Sequence, residues 1–195
     1  MTGGSYERLV WGLRSHRPRA LGRGLGGVID LLDDIEKNAI VKWEDVRASR
    51  GCAREGRAKK GPVAVIECLQ EIPCNPCETG CRFGAIAVGD PMTSLPILDD
   101  EKCTGCGNCV AVCPGLAIFI EDESQEGVEA LVSIPFEYLP VPERGAVVRA
   151  IDRSGRGICD ARVTNVRKPK GFNKTAVVTI AVPREYVHEA RGIAI

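Results

Sequence analysis

The stretch CTGCGNCVAVCPGLAIFI, residues 103–120, places four cysteines within eleven positions and then continues into a proline and an apolar run. The four cysteines are Cys103, Cys106, Cys109 and Cys113. Two-residue gaps let three thiolates and the amides between them wrap one face of a metal centre, and Gly105 and Gly107 permit the backbone to approach it closely. Pro114 then ends the turn after the last cysteine. The stretch therefore predicts a metal centre bound by cysteines.

Another group of four cysteines lies earlier in the chain, in CLQEIPCNPCETGC at residues 68–81. Its members are Cys68, Cys74, Cys77 and Cys81. The segments CRFGAIAV (81–88) and CPGLAIFI (113–120) align position by position, with Ala85 opposite Ala117. Each half therefore predicts a cysteine loop, a short helix and a strand, and the two halves together predict a pseudo-twofold core around two centres.

The composition narrows the cellular setting. Among 195 residues, 26 lysines and arginines balance 26 aspartates and glutamates, and aromatic residues make up only 5%. No run reaches the roughly 18 apolar residues of a membrane span, and no apolar block with a cleavage site is present near the first residues. These features predict a cytoplasmic protein with no nucleic-acid partner and no membrane span. Ten cysteines in such a compartment stay reduced, which favours metal binding over disulfides.

Zinc is the alternative metal, since two four-cysteine zinc sites would also use eight cysteines. Zinc ribbons usually separate their two cysteine pairs by a dozen or more residues, whereas here three cysteines share one loop and a fourth follows at once. The order C-x2-C-x2-C-x3-C-P is that of bacterial iron–sulfur ferredoxins. The spacing therefore favours iron–sulfur clusters, and a zinc-stabilised interaction module remains an alternative.

Residues 68–120 resemble a ferredoxin domain with two [4Fe-4S] clusters, in which the fourth cysteine of each motif binds the other cluster. The resemblance implies one cluster on Cys103, Cys106, Cys109 and Cys81. It implies a second cluster on Cys68, Cys74, Cys77 and Cys113. The motif at 68–81, which comes first in the chain, departs from the family pattern. Glu71 stands at the position where the family usually has the first cysteine, and Arg82 replaces the proline that usually follows the last one. Cys68, with five residues between it and Cys74, is the expected substitute ligand.

A wider resemblance covers about residues 60–195. It is carried by KKGPVAVIECLQEIPCNPCETGC (59–81), LPILDDEKCTGCGNCVAVCPGLAIF (95–119), PFEYLPVPERG (135–145) and AIDRSGRGICDARVTNV (150–166). Together these segments look like the iron–sulfur small subunit of FAD-dependent amine or imino-acid dehydrogenases of the sarcosine, proline and hydroxyproline type. The resemblance implies a flavoprotein partner that oxidises a C–N bond. It also implies that FAD and a [2Fe-2S] centre belong to partner subunits.

The expected fold is α+β, with a helical extension (1–63), a two-cluster ferredoxin domain (64–127) and a small β-rich domain (128–195). Helical spacing predicts helices from Tyr6 to Leu13 and from Val28 to about Val46. Three strands are expected in the C-terminal part, in GAVVRAI (145–151), GICDARVTNV (157–166) and TAVVTIAV (175–182), followed by a short terminal helix in PREYVHEAR (183–191). The terminal helix would carry His188, whose side chain is expected to be exposed to solvent.

The C-terminal region has no catalytic constellation, so we predict an electron-transfer subunit with no catalytic residues. A free-standing ferredoxin carrier is the other alternative to that function. The two remaining cysteines, Cys52 and Cys159, are expected to be small semi-buried hydrophobic residues rather than ligands.

Overall fold

A computed structural model describes residues 40–172 and 174–194. The predicted helix at Tyr6–Leu13 and most of the helix predicted from Val28 lie outside these residues. Within them, residues 40–42 have no regular secondary structure, Lys42 is extended, and helix α1 spans Trp43–Ala48. A helix running without interruption to Val46 is therefore not present in the described part, and α1 is a separate short element.

The cysteine-containing part of the chain has two short helices and four short strands. They are β1 (Val63–Ile66), α2 (Pro76–Thr79), β2 (Ile86–Ala87), β3 (Ile97–Leu98), α3 (Asn108–Val112) and β4 (Ile118–Asp122). Strands β1 and β4 pair antiparallel, and so do β2 and β3. Each half thus has a helix followed by a strand, as the repeat predicts, and α2 packs against α3.

The C-terminal part consists mainly of strands. They are β5 (Glu129–Phe136), β6 (Val147–Ile151), β7 (Gly157–Arg167), β8 (Ala176–Pro183) and β9 (Gly192–Ile193). The three predicted strands are confirmed as β6, β7 and β8. Strand β5 was not predicted, although its alternating burial, with Ala130, Val132 and Ile134 inside, has the period of a strand with one face in the core.

One antiparallel sheet joins the two parts, in the strand order β1-β4-β5-β8-β7-β6-β9. The junction is the pairing of β4 with β5, where Ile120 lies opposite Ser133 and Glu121 opposite Val132. The boundary predicted between residues 127 and 128 therefore falls in the connection between two hydrogen-bonded neighbours. The core around the cysteines includes Phe172 and Val177 from the C-terminal part.

The chain end differs from its prediction. In place of a helix over 183–191, the structure has a single 3-10 turn, Arg184–Tyr186, and the final strand β9. The reason is the free edge of β6: the Arg191 amide donates to the Ile151 carbonyl and the Ala194 amide to the Arg149 carbonyl, both at 2.9 Å. An extended chain satisfies these edge groups, whereas a helix would leave them unpaired. Within residues 40–172 and 174–194, no helix combines the length and apolar character needed to cross a membrane.

Candidate metal centres

Four cysteines surround a small cavity between α3, the preceding loop and the end of α2. We name this cavity site 2; its cysteines are Cys81, Cys103, Cys106 and Cys109. Three of them come from the 103–113 motif and one from the 68–81 motif. The rest of its wall is largely apolar and includes Phe83, Ala85, Ile86 and Ile120.

A second cavity, which we name site 1, has its own four cysteines: Cys68, Cys74, Cys77 and Cys113. Its apolar wall includes Ile66, Ile72, Val88 and Ile118. Cys68 reaches this cavity despite the five-residue gap, while Glu71 is exposed to solvent. The structure thus brings together the two sets of four cysteines that the resemblance implies, including the exchange of Cys81 and Cys113 between the motifs.

The acidity of the thiols reflects these groupings. Burial, followed by the proximity of Cys103, Cys106 and Cys81, raises the pKa of Cys109 to about 12. Burial and the proximity of Cys113 raise the pKa of Cys77 to about 11. Like charges in an apolar cavity disfavour the thiolate, so these thiols are protonated at neutral pH until a cation compensates them.

Backbone amides point at three of the sulfurs. The Ala85 amide lies 3.2 Å from Sγ of Cys81, and the Ala117 amide lies 3.4 Å from Sγ of Cys113. These two contacts are equivalent positions of the internal repeat. A third amide, that of Ala64, lies 3.4 Å from Sγ of Cys103. Four thiols, amide donors to sulfur and an apolar wall are the donor set that suits an iron–sulfur cluster.

A single metal ion requires a tighter arrangement than a cluster does. Zinc holds sulfur ligands at about 2.3 Å, so its four thiolates converge on one point, whereas each iron of a cubane takes its own thiolate. In the part of the chain that the structure describes, no group of three or more His, Cys, Asp or Glu residues forms a set that could hold one ion. At both sites the cysteines surround a cavity.

The two remaining cysteines line neither site. Cys52 is half-buried against Val46, Val65 and Leu69, and burial raises its pKa to about 11. Cys159 is half-buried against the C-terminal core, and burial raises its pKa as well. The prediction that both are semi-buried hydrophobic residues is confirmed.

The prediction for His188 is wrong. Its ring stacks on Trp43 with centroids 4.0 Å apart, and Nδ1 lies 2.9 Å from Oε2 of Glu121. Glu121 also accepts a hydrogen bond from Arg191 at 2.7 Å, and Arg191 in turn donates to Glu67 at 2.6 Å. Sequence reasoning missed this charge network because its members are scattered along the chain and share no motif.

The network reaches the edge of site 1. Glu67 accepts hydrogen bonds from both Arg153 and Arg191, and it directly precedes Cys68. Burial by itself raises the pKa of Glu67, but the two arginines outweigh burial and hold that pKa below its usual 4.5. The backbone before Cys68 is therefore tied by side chains to the C-terminal turn.

Comparisons with known proteins agree with the cysteine chemistry. Residues 96–119 match the family model described as a 4Fe-4S binding domain, and this match includes all four cysteines of the 103–113 motif. Iron–sulfur proteins of the ferredoxin type, with a function in electron transfer, are the class that this domain indicates.

Three relatives are similar to parts of the chain. Over 50 residues it is 44% identical to one component of the Na(+)-translocating ferredoxin:NAD(+) oxidoreductase complex of Acetobacterium woodii, covering 26% of this chain and 14% of the relative. Over 47 residues it is 49% identical to one component of an ion-translocating oxidoreductase complex of Methanosarcina acetivorans, covering 24% and 17%. Over 70 residues it is 39% identical to an uncharacterized ferredoxin of Methanocaldococcus jannaschii, covering 35% and 42%.

The chain thus spans from 14% to 42% of the length of these relatives. Two of the three are named as subunits of oxidoreductase complexes, and none of the three is named as part of an amine or imino-acid dehydrogenase. No solved structure matches the chain significantly.

Proposed function

We propose that the chain is an electron-transfer subunit that holds one [4Fe-4S] cluster at site 1 and another at site 2. The observation that carries this proposal is the presence of two separate cavities, each with four cysteines and a largely apolar wall. Each bound cluster would accept and donate one electron at a time.

The residues of the chain have three tasks in this function. The thiolates of Cys103, Cys106 and Cys109 with Cys81, and those of Cys68, Cys74 and Cys77 with Cys113, bind iron. The amides of Ala64, Ala85 and Ala117 donate to thiolate sulfur, which stabilises negative charge on a reduced cluster. The apolar walls limit access of water, which protects the iron–sulfur bonds and helps to set each potential.

We further propose that the electrons come from a FAD-dependent amine or imino-acid dehydrogenase, with a [2Fe-2S] centre in another partner subunit, all in the cytoplasm. The segments that resemble the small subunits of that group support this proposal. Exposed apolar side chains beside the sites also favour a fixed partner over a freely diffusing carrier. Phe83 of site 2 is 49% exposed, and Ile72 of site 1 is 43% exposed.

The first experiment is purification without oxygen, with iron, sulfide and zinc counted per chain and EPR spectra recorded after reduction. Two cubanes require about eight irons and eight sulfides, with signals from two interacting clusters. Zinc without sulfide would overturn the proposal and leave a zinc-stabilised interaction module.

A second experiment tests the partner. The chain is purified from its native source under the same conditions, and flavin is measured in the complex. Reduction of the clusters on addition of an amine or imino acid would support the dehydrogenase partner. A chain that purifies without flavin and whose clusters respond to no such substrate would favour the free-standing carrier.

A further inference from the structure

Arg167, the last residue of β7, contacts the cysteine loop of site 2 from the C-terminal part of the sheet. Its Nη1 donates a hydrogen bond of 2.5 Å to the carbonyl of Cys106. Its Cζ lies 5.3 Å from the centre of the Phe172 ring, so the guanidinium group is held between an aromatic face and the loop. The contact links residues 61 positions apart.

The loop is shaped for this contact at Gly107. That glycine has φ +76°, and a Cβ there would lie 3.3 Å from Nη1 of Arg167. The backbone of the loop and the guanidinium group are therefore in direct contact. A side chain at position 107 would push them apart.

A second arginine, Arg57, lies before the loop in sequence and contacts the loop as well. Nη2 of Arg57 donates to the Cys103 carbonyl at 2.8 Å, and its Nε and Nη1 donate to the carbonyls of Asp100 and Gly61. All three of these acceptors are backbone oxygens, so Arg57 joins the backbone before β1 to the start of the 103–113 motif. Two guanidinium groups thus bind the carbonyls of two site 2 cysteines.

The charge of Arg167 is not cancelled locally. Among the described residues no carboxylate forms an ion pair with it, whereas Arg162 on the same strand pairs with Glu129 at 3.2 Å. An arginine keeps its positive charge at all accessible pH values. Site 2 therefore has a permanent positive charge directed at one of its cysteine carbonyls.

Within the described part of the chain, site 1 has no comparable arginine contact at its cysteines. The segments that line it, 66–77, 88–96 and 113–118, contain the acids Glu67, Glu71 and Asp90 and no lysine or arginine. Glu67 is paired with Arg153 and Arg191, and three acids, at positions 99–101, also precede the site 2 motif. In the described structure, no arginine donates to the carbonyls of Cys68, Cys74 or Cys77. The two sites are thus alike in ligands, and in the described structure they differ in whether arginines donate to the carbonyls of their cysteines.

We propose that Arg57 and Arg167 raise the reduction potential of site 2 above that of site 1, so that an electron entering the chain comes to rest at site 2. Reduction adds a negative charge to a cluster, and nearby positive charge stabilises the reduced form. The two arginines act through the loop carbonyls and through their charge, so they are positioning residues. This inference rests on the proposed function, because it requires a cluster at each site.

The test is a redox titration followed by EPR, on the anaerobically purified protein with its iron counted. The site 2 signal is identified as the one that survives in a Cys68→Ala variant. In Arg167→Gln, we expect the ratio of reduced to oxidised site 2 at a fixed potential to fall about tenfold, a shift of about 59 mV for one electron. The reduction potential of site 1 is expected to be unchanged. Arg57→Gln is expected to shift site 2 in the same direction.

Two variants make the test specific. Arg162→Gln removes a charge from the same strand at an exposed ion pair and is expected to leave both potentials unchanged. Arg167→Lys keeps the positive charge, and its site 2 reduction potential is expected to stay close to that of the wild type. Equal shifts at both sites, or a lysine variant as low as the glutamine variant, would overturn the inference.

The outcome also separates this inference from the proposed function. A wild-type chain without iron and sulfide would contradict the function itself. A chain with about eight irons whose site 2 potential is unmoved in both Arg57→Gln and Arg167→Gln would contradict only the role of the arginines.

Discussion

Nδ1 of His188 lies 2.9 Å from Oε2 of Glu121, although 67 residues separate them in the chain. Glu121 belongs to β4, the strand that follows the second cysteine motif, and it is 2% exposed. Through Arg191, the same carboxylate is connected to Glu67 beside site 1. The C-terminal turn is therefore fastened to the strands on which both sites are built.

Replacing Arg191 with methionine tests this connection. The variant leaves Glu67 and Glu121 buried with fewer cationic partners, and we expect the free energy of unfolding to fall by about 3–5 kcal/mol. Urea unfolding without oxygen measures it. Arg162→Met is the control, because its ion pair with Glu129 is half exposed and is expected to contribute less than about 1 kcal/mol. Equal losses in the two variants would show that the buried network has no special role.

The second prediction concerns Asp100 and acid. Hydrogen bonds from the Arg54 side chain hold the pKa of Asp100 below its ordinary 3.8, against the opposing effect of burial. Because the folded pKa is the lower one, the carboxylate stabilises the fold above pH 3.8. The stabilisation is lost as the pH falls through the folded pKa. Asp100→Asn should therefore be less stable than the wild type at neutral pH, and the difference should shrink below pH 3.8.

Urea unfolding of both proteins over a pH series measures that difference. Iron is counted at each pH, and the two proteins are compared only at equal iron content, so that acid loss of metal does not enter the comparison. Asp160→Asn is the matched control, since Asp160 pairs with Arg149 on the exposed face. A stability difference for Asp100→Asn that persists unchanged in strong acid would contradict the assigned ion pair.

The third prediction concerns the unusual first motif. Cys68 lines site 1 with Cys74, Cys77 and Cys113. Cys68→Ala is expected to lose about one iron per chain or the whole site 1 cluster, because each cubane iron needs its own thiolate. Iron analysis and EPR measure the loss. Cys159→Ala, which removes a thiol that lines neither site, should retain all iron, and an unchanged iron count in Cys68→Ala would exclude Cys68 as a ligand.

Local spacing explains what could be predicted. The two groups of cysteines are close in sequence, so their gaps indicated a metal centre, and the resemblance gave the exchange of Cys81 and Cys113. Strands β6, β7 and β8 have dense valine and isoleucine between turn residues, which is a local signal. The continuous sheet through β4 and β5 had no such signal, since it depends on pairing between segments on both sides of a predicted boundary.

Long-range contacts explain what was missed. The partners Glu67 and Arg191 are 124 residues apart, and nothing in either segment points to the other. The proline that opens PREYVHEAR predicts a helix entry, and that terminal helix would leave His188 exposed to solvent. The edge of β6 instead draws the following residues into β9, which leaves only a 3-10 turn and brings His188 to Glu121.

The last prediction concerns Gly105, in the site 2 loop. It has φ +64°, and a Cβ there would lie 2.5 Å from Cβ of Pro62 and 2.7 Å from its carbonyl oxygen. Gly105→Ala must therefore move either this loop or the backbone before β1. We expect loss of the site 2 iron and a stability loss from both backbone strain, about 1–2 kcal/mol, and overpacking, about 1–3 kcal/mol more. Iron counts and urea unfolding measure the two effects.

Gly84→Ala is the control that separates backbone strain from steric overlap. It has φ +60°, but a Cβ there would meet no atom within 4 Å. Gly84→Ala should therefore show only the strain, about 1–2 kcal/mol, and should keep its full iron. If Gly105→Ala retains the site 2 iron and matches Gly84→Ala in stability, the contact between the loop and Pro62 is not needed to form the site. A selective loss in Gly105→Ala would instead show that the close approach of the loop to Pro62 holds the three site 2 cysteines of the 103–113 motif in place.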